Sequence, residues 1–353
     1  MVTRYYNSFV SIVLFCAVFF TTAESRTVVP SFLLKSRSQK NLVQTAEDHQ
    51  WSINFQKSKA DTINIIALRV EFQVDSSMLT TGNGLFGMRG AFRNSYDRKE
   101  YSYYTDNTYK YDLLPHDSLY FAHQLQAASE YFRKVSRNKL TIQYSIYPSG
   151  RGENAAYQVS RTMVDYSPGG KKKSETYDEY WERKSIGIMR FIQESILKAA
   201  SDGENSPFAN LRFEQSDSTI RDQFNRKTAI LIFHAGASIL TDIDGSQSDL
   251  IDVFITPEFF KYYRDSLGIQ QNGISVQGKS ALLINEVMMC SETANQDSTN
   301  WGIQSILVNQ IARQLGIPDL TTSNGAPGIG GFCIMDAGLF GGNGFISPYP
   351  SAW

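Results

Sequence analysis

The feature that most constrains the fold of this chain is a run of five consecutive apolar residues at positions 229–233, Ala-Ile-Leu-Ile-Phe. A run of this kind, with no polar residue to alternate, is typical of a strand whose two faces are both covered. We therefore expect a sheet that carries packed structure on each side.

Strand and helix patterns flank this run along the chain. The period of a strand, or a short apolar run, is found in four further segments: residues 63–72, 140–146, 251–255 and 281–284. Apolar side chains at helical spacing are found in three: residues 121–135, 180–200 and 303–315. The mixture predicts an α/β (mixed α+β) fold, in which a sheet domain is followed by a helical and loop-rich part.

The N-terminal residues 1–23 have the pattern of a Sec-type signal peptide. Arg4 supplies a positive charge, residues 9–20 are mainly apolar, and Ala23 ends a stretch of small residues suited to cleavage. As a helix the apolar run spans about 18 Å, too short for a bilayer core of about 30 Å. We expect a secreted or extracytoplasmic protein with no membrane span, a polar leader or pro-like extension at residues 24–62, and one domain over residues 63–353.

Composition limits the partners of the protein. The 353 residues carry a formal net charge of −1 and are 42% hydrophobic. A chain without a basic surplus is not expected to bind nucleic acid. Cys16 leaves with the signal peptide, and the remaining thiols, Cys290 and Cys333, either pair in an oxidising compartment or stay as two buried free cysteines.

The helix predicted at residues 303–315 can be interpreted in isolation as an ordinary amphipathic helix. Its apolar stripe faces the core, and Asn309 and Arg313 lie opposite, in water. Gly316 and Pro318 are expected to stop the helix, because neither residue continues it well. Residues 324–344 are rich in glycine and are expected to form loop or turn.

The residues after this helix indicate more. Residues 314–320 read Gln-Leu-Gly-Ile-Pro-Asp-Leu, and residues 330–336 read Gly-Gly-Phe-Cys-Ile-Met-Asp. The chain resembles the immune inhibitor A-type secreted bacterial metallopeptidases, whose zinc-binding helix reads HExxHxxGxxD. The second segment resembles the family's Met-containing turn below the zinc, with Met335 as its methionine. The resemblance implies a zincin-like fold with a mostly mixed sheet, an active-site helix and a Gly-rich Met-turn region.

The same resemblance assigns positions to the site residues. Asn309 and Arg313 stand where the family has its two histidine ligands, Gln310 stands where it has the glutamate base, and Gly316 and Asp319 fit the pattern. In the family the aspartate at the position of Asp319 is the third zinc ligand. A carboxamide is a poor zinc ligand, an arginine does not lose its proton, and a glutamine has no basic group. The sequence therefore predicts a pseudopeptidase without a cofactor, although active relatives use zinc.

Other candidate metal sites are weaker. The four histidines, His49, His116, His123 and His234, show no ligand spacing, and one of the pair at 116 and 123 is expected to cap a helix while the other packs. The acidic cluster of Asp242, Asp244, Asp249 and Asp252 offers oxygen ligands for calcium. It lacks the glycine and glutamate of an EF-hand, so a solvated acidic loop is the preferred interpretation.

Three alternatives remain beside the pseudopeptidase. The first is an active secreted zinc metalloendopeptidase with a rearranged site. The second is a module on the same fold that binds a peptide or protein ligand. The third is a product truncated at Trp353, since the family pattern usually continues past this point.

Overall fold

The computed structural model describes residues 61–87, 112, 114–242, 246–276, 282–295, 301–321 and 327–351. The predicted signal peptide and most of the predicted leader lie outside these residues. None of the helices within the described ranges is long and apolar enough to cross a membrane.

The described residues contain ten strands, which form one eight-stranded sheet and one small two-stranded sheet. Their bounds are β1 Asp61–Glu71, β2 Leu140–Tyr147, β3 Tyr157–Gln158, β4 Arg212–Glu214, β5 Thr219–Arg221, β6 Lys227–Ala237, β7 Val253–Ile255, β8 Ile274–Ser275, β9 Leu283–Ile284 and β10 Val287–Thr293. The main path of the large sheet runs β2-β1-β6-β10-β7. Its first four strands are parallel, and β7 is antiparallel at the edge.

Three short strands extend this sheet, and the remaining two stand apart. β3 pairs in parallel with the end of β1. β5 pairs antiparallel with β6 and carries β4. β8 and β9 form the separate antiparallel pair. The sheet is therefore mixed, with a parallel centre.

Six α-helices surround the sheet within the described residues: α1 Ser118–Val135, α2 Met163–Tyr166, α3 Tyr177–Ala200, α4 Pro257–Tyr262, α5 Arg264–Leu267 and α6 Gln304–Gln314. The same residues contain four 3-10 segments: Gly203–Asn205, Ile239–Thr241, Gly330–Phe332 and Ala337–Gly344. The carboxylate of Asp117 begins α1 by accepting a bond from Tyr120 N at 2.9 Å. The capping residue of this helix is thus an aspartate, and the prediction that His116 or His123 caps it is wrong.

The long helices cover opposite faces of the sheet. The ring of Phe233 on β6 lies 4.4 Å from that of Phe121 on α1, while the next residue, His234, lies against Phe191 of α3. Successive residues of a strand point to opposite faces, so α1 and α3 lie on different sides. α6 packs beside α1 and against β10. Residues 229–233 are all buried, which confirms the prediction from the apolar run.

The predicted mixed α/β class is confirmed. The strands that differ from the prediction lie after residue 250. The strand predicted at 251–255 begins only at Val253, and the one at 281–284 is reduced to the two residues of β9. β10, a central strand, was not predicted. Its sequence ends in Ser291-Glu292-Thr293, three polar residues that are fully buried. Hydrophobic periodicity does not detect a strand whose buried end is polar.

Candidate functional site

The centre of the site is Asn309, on the face of α6 that was expected to meet water. The side chain is only 3% exposed. Its Nδ2 donates to Ile334 O at 2.8 Å and lies 3.9 Å from the sulfur of Met335. The prediction that Asn309 faces solvent is therefore wrong, because the turn that contains Met335 packs over this side of the helix.

Arg313 joins Asn309 to Asp319. Its Nε donates to Asn309 Oδ1 at 3.0 Å, and its Nη2 donates to Asp319 Oδ2 at 2.6 Å. The other carboxylate oxygen of Asp319 accepts from Thr321 N at 3.2 Å and from Thr321 Oγ1 at 3.1 Å. The three predicted ligand positions thus meet in one place, with the guanidinium between the other two.

The end of α6 explains how Asp319 returns to the helix. Gly316 has φ +81°, a left-handed conformation that suits glycine. Ile317 N then donates to Ala312 O at 3.0 Å, which closes the last turn. Leu320 N donates to Met335 O at 2.9 Å. Gly316 thus turns the chain after α6, and the backbone of Met335 holds Leu320 in place.

Gln310 lies beside this group and is 5% exposed. Its Oε1 is buried and has no hydrogen-bond partner within the ranges that the structure describes. The Oε1 of the neighbouring Gln314 is also buried without a described partner, although its Nε2 donates to Glu286 Oε2 at 2.7 Å. The position predicted for a general base thus carries an unpaired neutral carboxamide.

The donor chemistry of this group does not fit a zinc ion. Asn309 Oδ1 and Asp319 Oδ2 both accept from Arg313, whose guanidinium keeps its proton and cannot act as a ligand. Catalytic zinc needs three protein ligands, usually imidazole nitrogen or carboxylate oxygen. In the described part of the chain, no three His, Cys, Asp or Glu side chains are placed to hold one ion.

Each described residue of the acidic cluster contacts a different part of the chain. Asp242 Oδ1 accepts from Ser246 N at 3.0 Å, Asp249 Oδ1 from Thr81 N at 2.7 Å, and Asp252 Oδ1 from Ser291 N at 2.5 Å. Asp244 lies outside the described residues. Asp249 and Asp252 are buried, so the prediction of a solvated acidic loop is wrong for these two. Each carboxylate instead holds a different backbone N–H group.

A second polar group at the carboxyl ends of the central strands was not predicted. His116 is fully buried, and its Nδ1 lies 2.7 Å from Glu292 Oε1. Burial opposes the charged imidazole, but the carboxylates of Asp112 and Glu292 outweigh it and raise the pKa of His116. Glu292 also accepts from Gly87 N at 2.6 Å and from Gly236 N at 2.9 Å.

The other histidines do not join either group. His123 is exposed on α1, and the Nδ1 of buried His234 lies 2.9 Å from Ala235 O. His49 lies outside the described residues. The only sequence signal for the group around His116 was Glu292, an acidic residue after an apolar run, and no spacing linked it to a histidine 176 positions earlier.

The two remaining cysteines are both buried and free. Cys333 Sγ accepts from Ser351 N at 3.1 Å and from Met335 N at 3.4 Å. Of the two predicted alternatives, the structure has the pair of buried thiols. Cys333 thereby fixes the segment that carries Met335.

Two sequence comparisons give no relative for this chain. No protein-family model matches the chain, and no curated protein matches it. The resemblance to metallopeptidases therefore depends on residues 314–320, at and after the end of α6, and on the glycine-rich tail.

Proposed function

We propose that this protein is a secreted pseudopeptidase: a zincin-like, immune inhibitor A-like domain that cleaves no peptide bond and has kept a cleft for a peptide or protein ligand. The observation that carries the proposal is the guanidinium of Arg313, bonded to Asn309 on one side and to Asp319 on the other. A fixed organic cation stands where the family resemblance places a metal cation.

The framework around this cation supports descent from a metal site. Positions that are ten residues apart along the chain, 309 and 319, meet because Gly316 turns the chain back after α6. Met335 lies directly against Asn309, as the resemblance expects of the methionine turn below the metal. An ordinary surface helix would need none of these contacts.

The chemistry of the same residues supports loss of catalysis. A partly exposed ion pair such as Arg313–Asp319 stabilises by about 1 kcal/mol or less, so the pair alone does not exclude a metal. Without it, however, Asn309 and Asp319 offer only two oxygen ligands. Gln310 cannot accept a proton from an attacking water. The site therefore lacks both a set of zinc ligands and a general base.

Restoring the family residues tests the proposal. We expect the variant Asn309→His, Gln310→Glu, Arg313→His to bind zinc together with Asp319, while the wild type binds none and leaves casein intact. The matched control adds Asp319→Ala to the triple variant and should lose the zinc. A folded triple variant that binds no zinc would contradict the metallopeptidase origin, and chelator-sensitive casein cleavage by the wild type would contradict the inactivity.

Export is part of the proposal and has its own test. The basic residue, apolar run and small residues of positions 1–23 support it. Amino-terminal sequencing of protein recovered from the medium should begin near Glu24. An intact Met1 on protein found only in the cytoplasm would overturn this part.

A further inference from the structure

Arg313 keeps part of its hydrogen-bonding capacity free. Nε and Nη2 are used by Asn309 and Asp319, whereas Nη1 has no protein partner in the described ranges. The side chain is 24% exposed. Two contacts thus fix the plane of the guanidinium and leave one edge, with its N–H donors, for a group outside the protein.

Gln310 lies on the same face of α6, three residues before Arg313, a spacing that places two side chains side by side. Neither end of its carboxamide bonds to a described residue, and its buried Oε1 is unpaired. A buried polar group without a hydrogen bond is unfavourable. The Nε2 of this amide bonds to no described residue and is a donor for an acceptor on a ligand.

We infer that Gln310 and Arg313 together bind a carboxylate group of a peptide ligand, an inference that rests on the proposed function. The guanidinium edge and the amide N–H are two neighbouring donors, and a carboxylate has two acceptor oxygens to meet them. A charged donor and acceptor form hydrogen bonds about twice as strong as a neutral pair. An ammonium group has no acceptor for these donors, and a neutral carbonyl would gain less.

Asp319 limits the strength of this site without blocking it. Its carboxylate neutralises the charge of Arg313 from the Nη2 side, and Thr321 holds it there. The free Nη1 edge therefore orients a ligand through its N–H donors more than it attracts one by net charge. The carboxylate comes either from the C-terminus of the peptide or from an Asp or Glu side chain, and both sources present the same chemistry.

Three pools of N-terminally biotinylated, randomised hexapeptides distinguish the sources. The first pool has a free C-terminus and no acidic residue, the second has an amidated C-terminus and one glutamate, and the third is amidated and contains no acid. Biolayer interferometry with the purified protein should show binding to the first pool, the second or both, and not to the third. Equal binding to the third pool would overturn the inference, and so would binding to none.

Variants locate the binding. Arg313→Met should weaken binding to the carboxylate pool about tenfold or more, and Gln310→Leu about fivefold, as expected for a charged and a neutral hydrogen bond. Gln310→Leu leaves the Arg313–Asp319 pair intact, so it tests carboxylate binding at this site even if Arg313→Met folds poorly. Gln314→Leu, on the same helix but paired with Glu286, is the control and should bind like the wild type.

Undiminished binding in both site variants would place the carboxylate elsewhere and overturn the inference. This outcome is separable from failure of the proposed function, which would appear as zinc in the wild type. A protein without zinc and without carboxylate binding would contradict the inference alone.

Discussion

At the scale of single residues, the site depends on a polar side chain that is buried and fully used. Asn309 donates to the backbone of Ile334 and accepts from Arg313, so both ends of its carboxamide have a partner. A buried polar group is tolerated only where its hydrogen bonds are made. Asn309 therefore joins α6 to the turn below it.

Replacement of Asn309 should lower the free energy of unfolding more than replacement of Arg313. Asn309→Ala leaves Ile334 O without its donor, and we expect the free energy of unfolding to fall by about 1–3 kcal/mol. Arg313→Lys keeps the charge in a partly exposed position and should cost about 1 kcal/mol or less. Urea denaturation compares the two. Equal and small effects would show that Asn309 has no structural role.

At the scale of elements, the decisive feature is the end of α6. Gly316 adopts φ +81°, and the chain reverses there so that Asp319 reaches Arg313. The helix and the following loop therefore act as one unit. The position of the acidic residue depends on the conformation of one glycine.

A substitution at Gly316 should disturb the contact between α6 and the loop that follows it. An alanine at φ > 0 costs about 1–2 kcal/mol, so Gly316→Ala should lower stability by that amount. Gly331→Ala is the control, because a Cβ at Gly331 meets no atom within 4 Å and φ is not in the left-handed region. Thermal unfolding measures both variants. A Gly316→Ala protein as stable as the control would contradict the role of the turn.

The same element shows how much of the site the sequence predicts. Helical spacing predicts α6 and its stop at Gly316, and the motif residues identify which side chains meet. Burial of Asn309 could not be predicted from the helical period, because the layer that covers it comes from the tail around Met335. Periodicity detects the covered side only when that side is apolar.

At the scale of the whole molecule, buried charges link the ends of the central strands to the segments around them. Glu292 at the end of β10 binds His116 before α1, Gly87 after β1 and Gly236 on β6. Nothing in the spacing of these residues along the chain brings them together. Only the parallel order of β1, β6 and β10 places them at one edge.

This group predicts a dependence of stability on pH. The folded-state pKa of His116 is raised by Asp112 and Glu292 despite burial. A raised pKa gives stability that is complete below the unfolded value, about 6.5. That stability is lost as pH rises through the higher folded value.

Urea denaturation from pH 6 to pH 10 tests this prediction. The stability difference between the wild type and His116→Gln should be largest near pH 6 and should shrink as pH rises. The difference isolates His116 from other groups such as Lys184, whose pKa burial lowers to about 8. His123→Gln, an exposed histidine on α1, is the control. A difference that stays constant over this range would exclude the charged imidazole.

The most direct test of the central claim is the zinc content of the wild-type protein. Purified protein is incubated with excess zinc chloride, freed of unbound metal and analysed by elemental mass spectrometry. With Arg313 between Asn309 and Asp319, and Gln310 in place of a base, we expect zinc far below one ion per chain, with no peptidase activity. One zinc per chain, removed by a chelator together with proteolytic activity, would contradict the account.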